Sequence, residues 1–455
     1  MTVRLDAIRE CLEGAVPGVM ATCSADGAPN VAFLSQAEYV DGRHVALSYQ
    51  FFNTTRHNIL ENPNARLIVT HPRTAERYRL LLRYLRTETA GPLFERMKAK
   101  LAGVAAHSGM GGVFRLRGSD VCRVLEIERV PGPALDLPTP RPSLLAALRS
   151  TSARLAICRE LDTLLAEALA SLESQFGFRH TSVLLLDAAG TRLYTIASRG
   201  YENSGVGSEI AIGDGVIGVA AREATPIRLG YLAPDYAHYG AGGNSTRAAD
   251  AEGLETRIPL PRLPEPRSRL AVPIRACTRL LGVLYAESAQ NLRFGYDDED
   301  ALVALAGQLG AAMLALRQAG EVDDGTAVPE PESLAAVGPP VIVRHHAGDD
   351  SVFLDDTYLI KGVAGAIFWT VMRNLVNAGR STFSLRELQL EPTIPREDRS
   401  ADLDARLLLL RRRLADCGAP LRLESIGHGR FLLAARRLPK LVDVAPPTNP
   451  LPARH

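Results

Sequence analysis

The first part of the chain alternates apolar and polar positions with a period of two. From Gly18 onward, "GVMATCSADGAPNVAFLSQAEYVDGRHVALSYQ" holds three apolar runs. They are split at Asp26-Gly27 and Asp41-Gly42, pairs that favour hairpin turns. "NTTRHNILENPNARLIVTHP" predicts a short helix, closed at Asn62-Pro63, and then a fourth strand. "GPLFERMKAKLAGVAAHSGM" spaces its apolar residues as an amphipathic helix, and "GVFRLRGSDVCRVLEIERV" supplies two closing strands. Strands that dominate over two short helices predict a small antiparallel barrel.

The period then changes. "SLLAALRSTSARLAICRELDTLLAEALASLESQFG" repeats its apolar positions every three or four residues and predicts a helix pair. "HTSVLLLDAAGTRLYTIASRGY" follows as a hairpin. "RLAVPI" and "LLGVLYA" are apolar enough for central strands, and "DDEDALVALAGQLGAAM" is a closing helix begun by Asp297-Asp298. The last stretch predicts short strands in "DSVFLDDTYLIKG", then three helices and a hairpin. "GAIFWTVMRNLVNAG" is an amphipathic helix ending at Gly379. In "STFSLRELQL", Ser384 and Glu387 form a capping box. "SADLDARLLLLRRRLADCG" ends at Gly418, and "LRLESIGHGRFLLAARR" turns between Gly427 and Gly429.

Two composition breaks separate these regions. Val130–Ser143 carries five prolines, and Gly320–Pro340 is acidic and rich in Pro and Gly. The expected organisation is a domain over 1–130, a linker over 131–143, a domain over 144–319, a linker over 320–340, a domain over 341–440 and a disordered tail over 441–455. The expected fold class is multidomain α+β. For 455 residues, three units agree with ~100–200 residues per domain.

Net charge is +1, so composition alone points to no polyanion. Positive charge is local: residues 406–440 hold nine basic and two acidic side chains, a net of +7. No run approaches the ~18 apolar residues of a membrane span. The charged start "MTVRLDAIRECLEG" is unlike a signal peptide. The six cysteines are scattered, without CxxC or zinc spacing, so neither a disulfide framework nor a metal site is expected. A cytoplasmic location follows as an expectation. No nucleophile–base pair suggests a catalytic centre.

Three resemblances add to this. "SADGAPNVAF", "ALSYQ" and "RHNILENPNARLIVT" resemble the pyridoxamine 5′-phosphate oxidase-like, FMN-binding split barrels. The resemblance implies a homodimer with flavin at its interface and a phosphate site in the strand-to-helix turn. Ser48, Gln50, Asn53, Thr54, Thr55 and Arg56 would line it, because a phosphate needs hydroxyls, amides and a cation. Where the family often carries a lysine, this chain has Thr55. His107 and Met110, in "AAHSGMGG", are further candidates to approach flavin or haem.

The middle segment resembles a GAF domain, through Gly213-Asp214-Gly215-Val216-Ile217-Gly218, "RSRLAVPI", "LLGVLYAES" and the closing helix. The resemblance implies a small-molecule pocket under a lid. The long lid carries Tyr231, Tyr236, His238, Tyr239 and Arg247 as candidate ligand contacts.

"LLRRRL" and "GHGRFLL" resemble the last helix and wing of response-regulator winged-helix output domains, which implies DNA as partner. Arg406, Arg411, Arg412, Arg413, His428 and Arg430 are the candidate contacts. Leu408 and Leu409 stand where such helices offer arginines to DNA, which points to a protein contact instead. The expected function is a ligand-sensing one-component transcriptional regulator. Its rivals are an FMN-dependent oxidoreductase with accessory domains and a regulator that binds protein rather than DNA.

Overall fold

The computed structural model describes residues 3–12, 16–34, 36–49, 54–107, 115–135, 143–230, 257–320, 338–391, 403–427 and 429–444. A 3₁₀ segment, Leu5–Leu12, opens the chain. Seven strands follow: β1 (Gly18–Cys23), β2 (Pro29–Leu34), β3 (Ala37–Asp41), β4 (His44–Tyr49), β5 (Asn64–Thr70), β6 (Arg77–Glu88) and β7 (Gly118–Val130). They form one antiparallel sheet in the order β2-β1-β5-β6-β7-β4-β3. Helix α1 (Thr54–Glu61) joins β4 to β5, and α2 (Pro92–His107) joins β6 to β7. Inward residues such as Met20, Val45, Leu67, Leu80 and Leu82 bury the core of the curved sheet.

One expectation about this unit changes, and one strand comes unannounced. Among the described residues the closing segment holds one strand of 13 residues, not two; β7 pairs with β4 over Gly118–Arg123 and with β6 over Ser119–Val130. Strand β6 escapes the hydrophobic pattern altogether. Arginines alternate irregularly with leucines in "RYRLLLRYLRTE", yet Leu80 and Leu82 are fully buried.

The middle unit begins with α3 (Leu144–Leu155) and α4 (Leu161–Phe176). Strands β8 (His180–Leu186), β9 (Arg192–Arg199), β10 (Glu209–Ala211), β11 (Ile227–Leu229), β12 (Ser268–Ala276) and β13 (Arg279–Ser288) form an antiparallel sheet ordered β10-β9-β8-β13-β12-β11. Helix α5 (Gly215–Glu223) follows the Gly-Asp-Gly turn, and α6 (Tyr296–Gly320) closes the unit. Gly213 and Gly215 both take positive φ, which permits that turn. Residues Tyr296–Gln318 are long and apolar enough to cross a membrane by length and composition. Here Leu302, Leu305, Ala306, Leu309 and Met313 bury that helix in the core instead.

The third unit starts with β14 (Val341–His346), β15 (Ser351–Leu354) and β16 (Thr357–Ile360). Helix α7 (Gly362–Ala378), β17 (Thr382–Ser384), α8 (Leu385–Leu390) and α9 (Leu403–Asp416) follow, then the hairpin β18 (Leu421–Gly427) and β19 (Arg430–Ala435). Both hydrogen bonds of the Ser384–Glu387 capping box are present. The hairpin takes β17 as a third strand, ordered β17-β19-β18. The described structure runs four residues past the expected end of this domain at 440, and residues 445–455 lie outside the described residues. Pro439–Val444 form β20, which runs parallel to β14 and completes a four-stranded sheet. His345 ties the pair together: it stacks on Trp369 and bridges Asp443 at 2.9 Å and Asp350 at 3.0 Å.

Candidate functional sites

In the barrel, β4 delivers Ser48 and Tyr49 to the turn before α1, whose first residues are Thr54, Thr55 and Arg56. Thr55 is buried, and its hydroxyl accepts a hydrogen bond from the Asn30 amide at 2.8 Å. Arg56 lies over the Tyr49 ring, 4.4 Å from its centroid. Its guanidinium donates to Thr87 at 2.9 Å and forms an ion pair with Asp120 of β7. Asp120 is 5% exposed, so this carboxylate is built into the barrel. Gln50, Asn53 and Met110 lie outside the described residues. His107 ends α2.

A flavin phosphate carries close to two negative charges and needs charge-assisted donors. Arg56 is the cation that the described turn residues offer, and Asp120 already balances it. A bound phosphate would therefore share Arg56 with Asp120, a partner 64 positions away that no local motif announces.

The lid candidates Tyr231, Tyr236, His238, Tyr239 and Arg247 all fall outside the described residues. Beside the lid the structure reveals a polar cluster that sequence reasoning missed. Glu287 of β13 is 2% exposed. It accepts hydrogen bonds from the Tyr285 hydroxyl at 3.0 Å and from the Leu263 backbone N–H. Arg269 of β12 stands 3.8 Å away. Burial raises the Glu287 pKa above its ordinary 4.5, opposed by Arg269. The phenols of Tyr201 and Tyr285 are also pushed upward by burial. A charge inside an apolar run such as "LLGVLYAES" was the available signal.

At the C-terminal end, the arginine triplet faces inward. Arg411 and Arg412 both bind Asp162 in the first turn of α4, and Arg412 also donates to the Ile196 carbonyl of β9 at 2.8 Å. Arg413 donates to the carbonyls of Leu359 and Tyr358, each at 3.1 Å. Arg406 lies over the Tyr194 ring at 4.1 Å. Leu408 and Leu409 are 6% and 3% exposed, within a core shared by the middle and C-terminal units. Arg430 opens β19, half-buried, and His428 lies outside the described residues.

Residues 5–113 match the family model described as pyridoxamine 5′-phosphate oxidase, and residues 160–313 match the GAF domain model. The chain thus carries a barrel of the first type and a GAF domain. No curated protein matches the chain in sequence. Among solved structures, an FMN-binding protein from Syntrophomonas wolfei is 18% identical, with a TM-score of 0.23, over 28% of this chain and 89% of its own. Free methionine-R-sulfoxide reductase from Neisseria meningitidis is 22% identical, with a TM-score of 0.31, over 40% of this chain and 98% of its own. The GAF domain of a phosphoenolpyruvate-protein phosphotransferase from Coxiella burnetii is 21% identical, with a TM-score of 0.31, over 39% and 97%.

Proposed function

We propose that the chain is a homodimeric, ligand-responsive regulator in which the GAF domain senses a small molecule and the C-terminal unit is a DNA-binding output. The observation that carries this reading is the continuity of packing. Ala99, Ala102 and Ala106 of the barrel helix α2 pack with Val216, Val219 and Ala220 of the GAF helix α5. On its far side the GAF domain shares a core with the C-terminal unit. A ligand that favours one arrangement of the GAF domain can therefore bias the output, provided it binds the two states unequally.

The output reading is supported by the order helix, strand, helix, helix, hairpin and by the three-stranded sheet that closes on the hairpin, an order that winged-helix domains share. Duplex binding is tested by gel shift of the full chain on genomic fragments at low salt. The shift should weaken as salt rises and in Arg430→Ala. Failure to shift any fragment, both in the wild type and in a variant whose α9 is released from the GAF domain, overturns the reading.

The barrel's part in this scheme is dimerisation, not tight flavin binding. FMN remains the ligand that its family match suggests, but its phosphate must compete with Asp120 for Arg56. The purified chain should be colourless, and added FMN should bind tighter to Asp120→Asn than to the wild type. A wild-type protein that co-purifies with flavin would refute this assignment.

A further inference from the structure

A helix that reads a DNA groove must leave one face to solvent. Helix α9 leaves none. Of its 14 residues, only Ala415 and Asp416, at its last turn, are exposed. One side is covered by its own unit, where Leu407, Leu410 and Leu414 join the core and Arg413 caps the carbonyls of β16. The other side is covered by the GAF domain. Arg406 stacks on Tyr194, Arg411 and Arg412 grip Asp162, and Asp416 accepts from the Ser204 hydroxyl. Arg412 and Asp416 are four residues apart and share a helix face, so the GAF contacts fall on a coherent side.

We propose that α9 is an intramolecular clasp. Asp162 receives two of its arginines, and this holds the C-terminal unit closed on the GAF domain with the face that would meet a groove covered. The positive charge that singled out this helix in the sequence is spent inside the chain in the closed state. The clasp rests on the described contacts; only its consequence for DNA rests on the reading given above.

Three features make it a latch instead of a permanent core. The guanidiniums converge on a single carboxylate, so one substitution removes both ion pairs. That carboxylate is 37% exposed and the arginines 25% and 19%, so the pairs can be exchanged for water. Beside the clasp, the two units leave a cleft of about 550 Å³, walled by Leu161, Met313, Leu316, Leu408 and Phe431 with Arg159 at its edge. The contact is therefore not packed throughout, unlike the interior of a domain.

Asp162 also sits in the first turn of α4, where a carboxylate favours the helix. Its substitution could act through α4, and a second variant separates the two causes. Hydrogen exchange of the full chain should show protected amides over residues 403–416 in the wild type. In Asp162→Arg, and in the double variant Arg411→Ser with Arg412→Ser, exchange there should rise by about tenfold, within the ordinary range of coupling between sites. The charge swap Asp162→Arg with Arg411→Asp should restore protection. Unchanged exchange over α9 in both the Asp162 and the double-arginine variants overturns the clasp. Duplex affinity is measured in parallel with Asp162→Arg. Tighter binding supports the clasp and the DNA-binding output together. Faster exchange without any gain in duplex affinity supports the clasp and removes DNA as the output partner.

Discussion

Glu287 shows how much one side chain can decide. It is buried in the GAF domain with Tyr285, Tyr201 and Arg269, and burial raises its pKa above 4.5. The folded protein therefore holds this proton more tightly than the unfolded chain. That contribution to stability is present at acid pH and is lost as pH rises from 4.5 through the folded value. Glu287→Gln keeps the shape and an acceptor for Leu263 and Tyr285, so it should flatten this loss. Thermal melts from acid to neutral pH check it: the wild type should lose more stability over that range than the variant. Equal slopes would mean that Arg269 holds Glu287 ionised in both states. At this scale the sequence was only partly legible. The Gly213-Asp214-Gly215 turn announces itself, because its backbone needs glycine. Glu287 shows only as a charge inside an apolar run, and Asp120 not at all, because a carboxylate's burial depends on partners far along the chain.

At the scale of elements, most helices and hairpins were readable from period and capping, because those signals are local. What stayed hidden was the second face of each element. Helix α2 reads as amphipathic with one buried side, yet its small residues form another contact. Gly103 lies so close to Ile227 that an added Cβ would stand 2.4 Å from that side chain's Cγ2. Gly103→Val should therefore push α2 away from β11 of the GAF sheet, at a cost of about 2 kcal/mol by overpacking. Calorimetry should show the barrel melting separately from the GAF domain in the variant and together with it in the wild type. A single unshifted transition would show that Ile227 moves aside without loss. Strand β6 was hidden for a related reason. Its arginines point outward along a sheet whose other face is core, and their irregular spacing breaks the period of two.

At the scale of the whole molecule, the barrel exposes what its own chain does not cover. Strand β2 pairs only with β1 and so forms one edge of the seven-stranded sheet. On its outer face Val31 and Phe33 are 66% and 79% exposed. Phe33 stands opposite Val19, which in turn stands opposite Ile68, so an apolar band crosses three strands. An exposed apolar band of this kind calls for a partner. The proposed homodimer supplies one, with the two barrels meeting through these faces. Phe33→Glu places a charge at the centre of that band while touching nothing in the barrel's interior, so stability of the isolated fold should change by no more than about 0.5 kcal/mol. Sedimentation of the full chain should then report a dimer for the wild type and a monomer for the variant. A variant that stays dimeric would move the interface elsewhere. A wild type that sediments as a monomer would end the homodimer proposal, and with it any output that depends on two C-terminal units acting together.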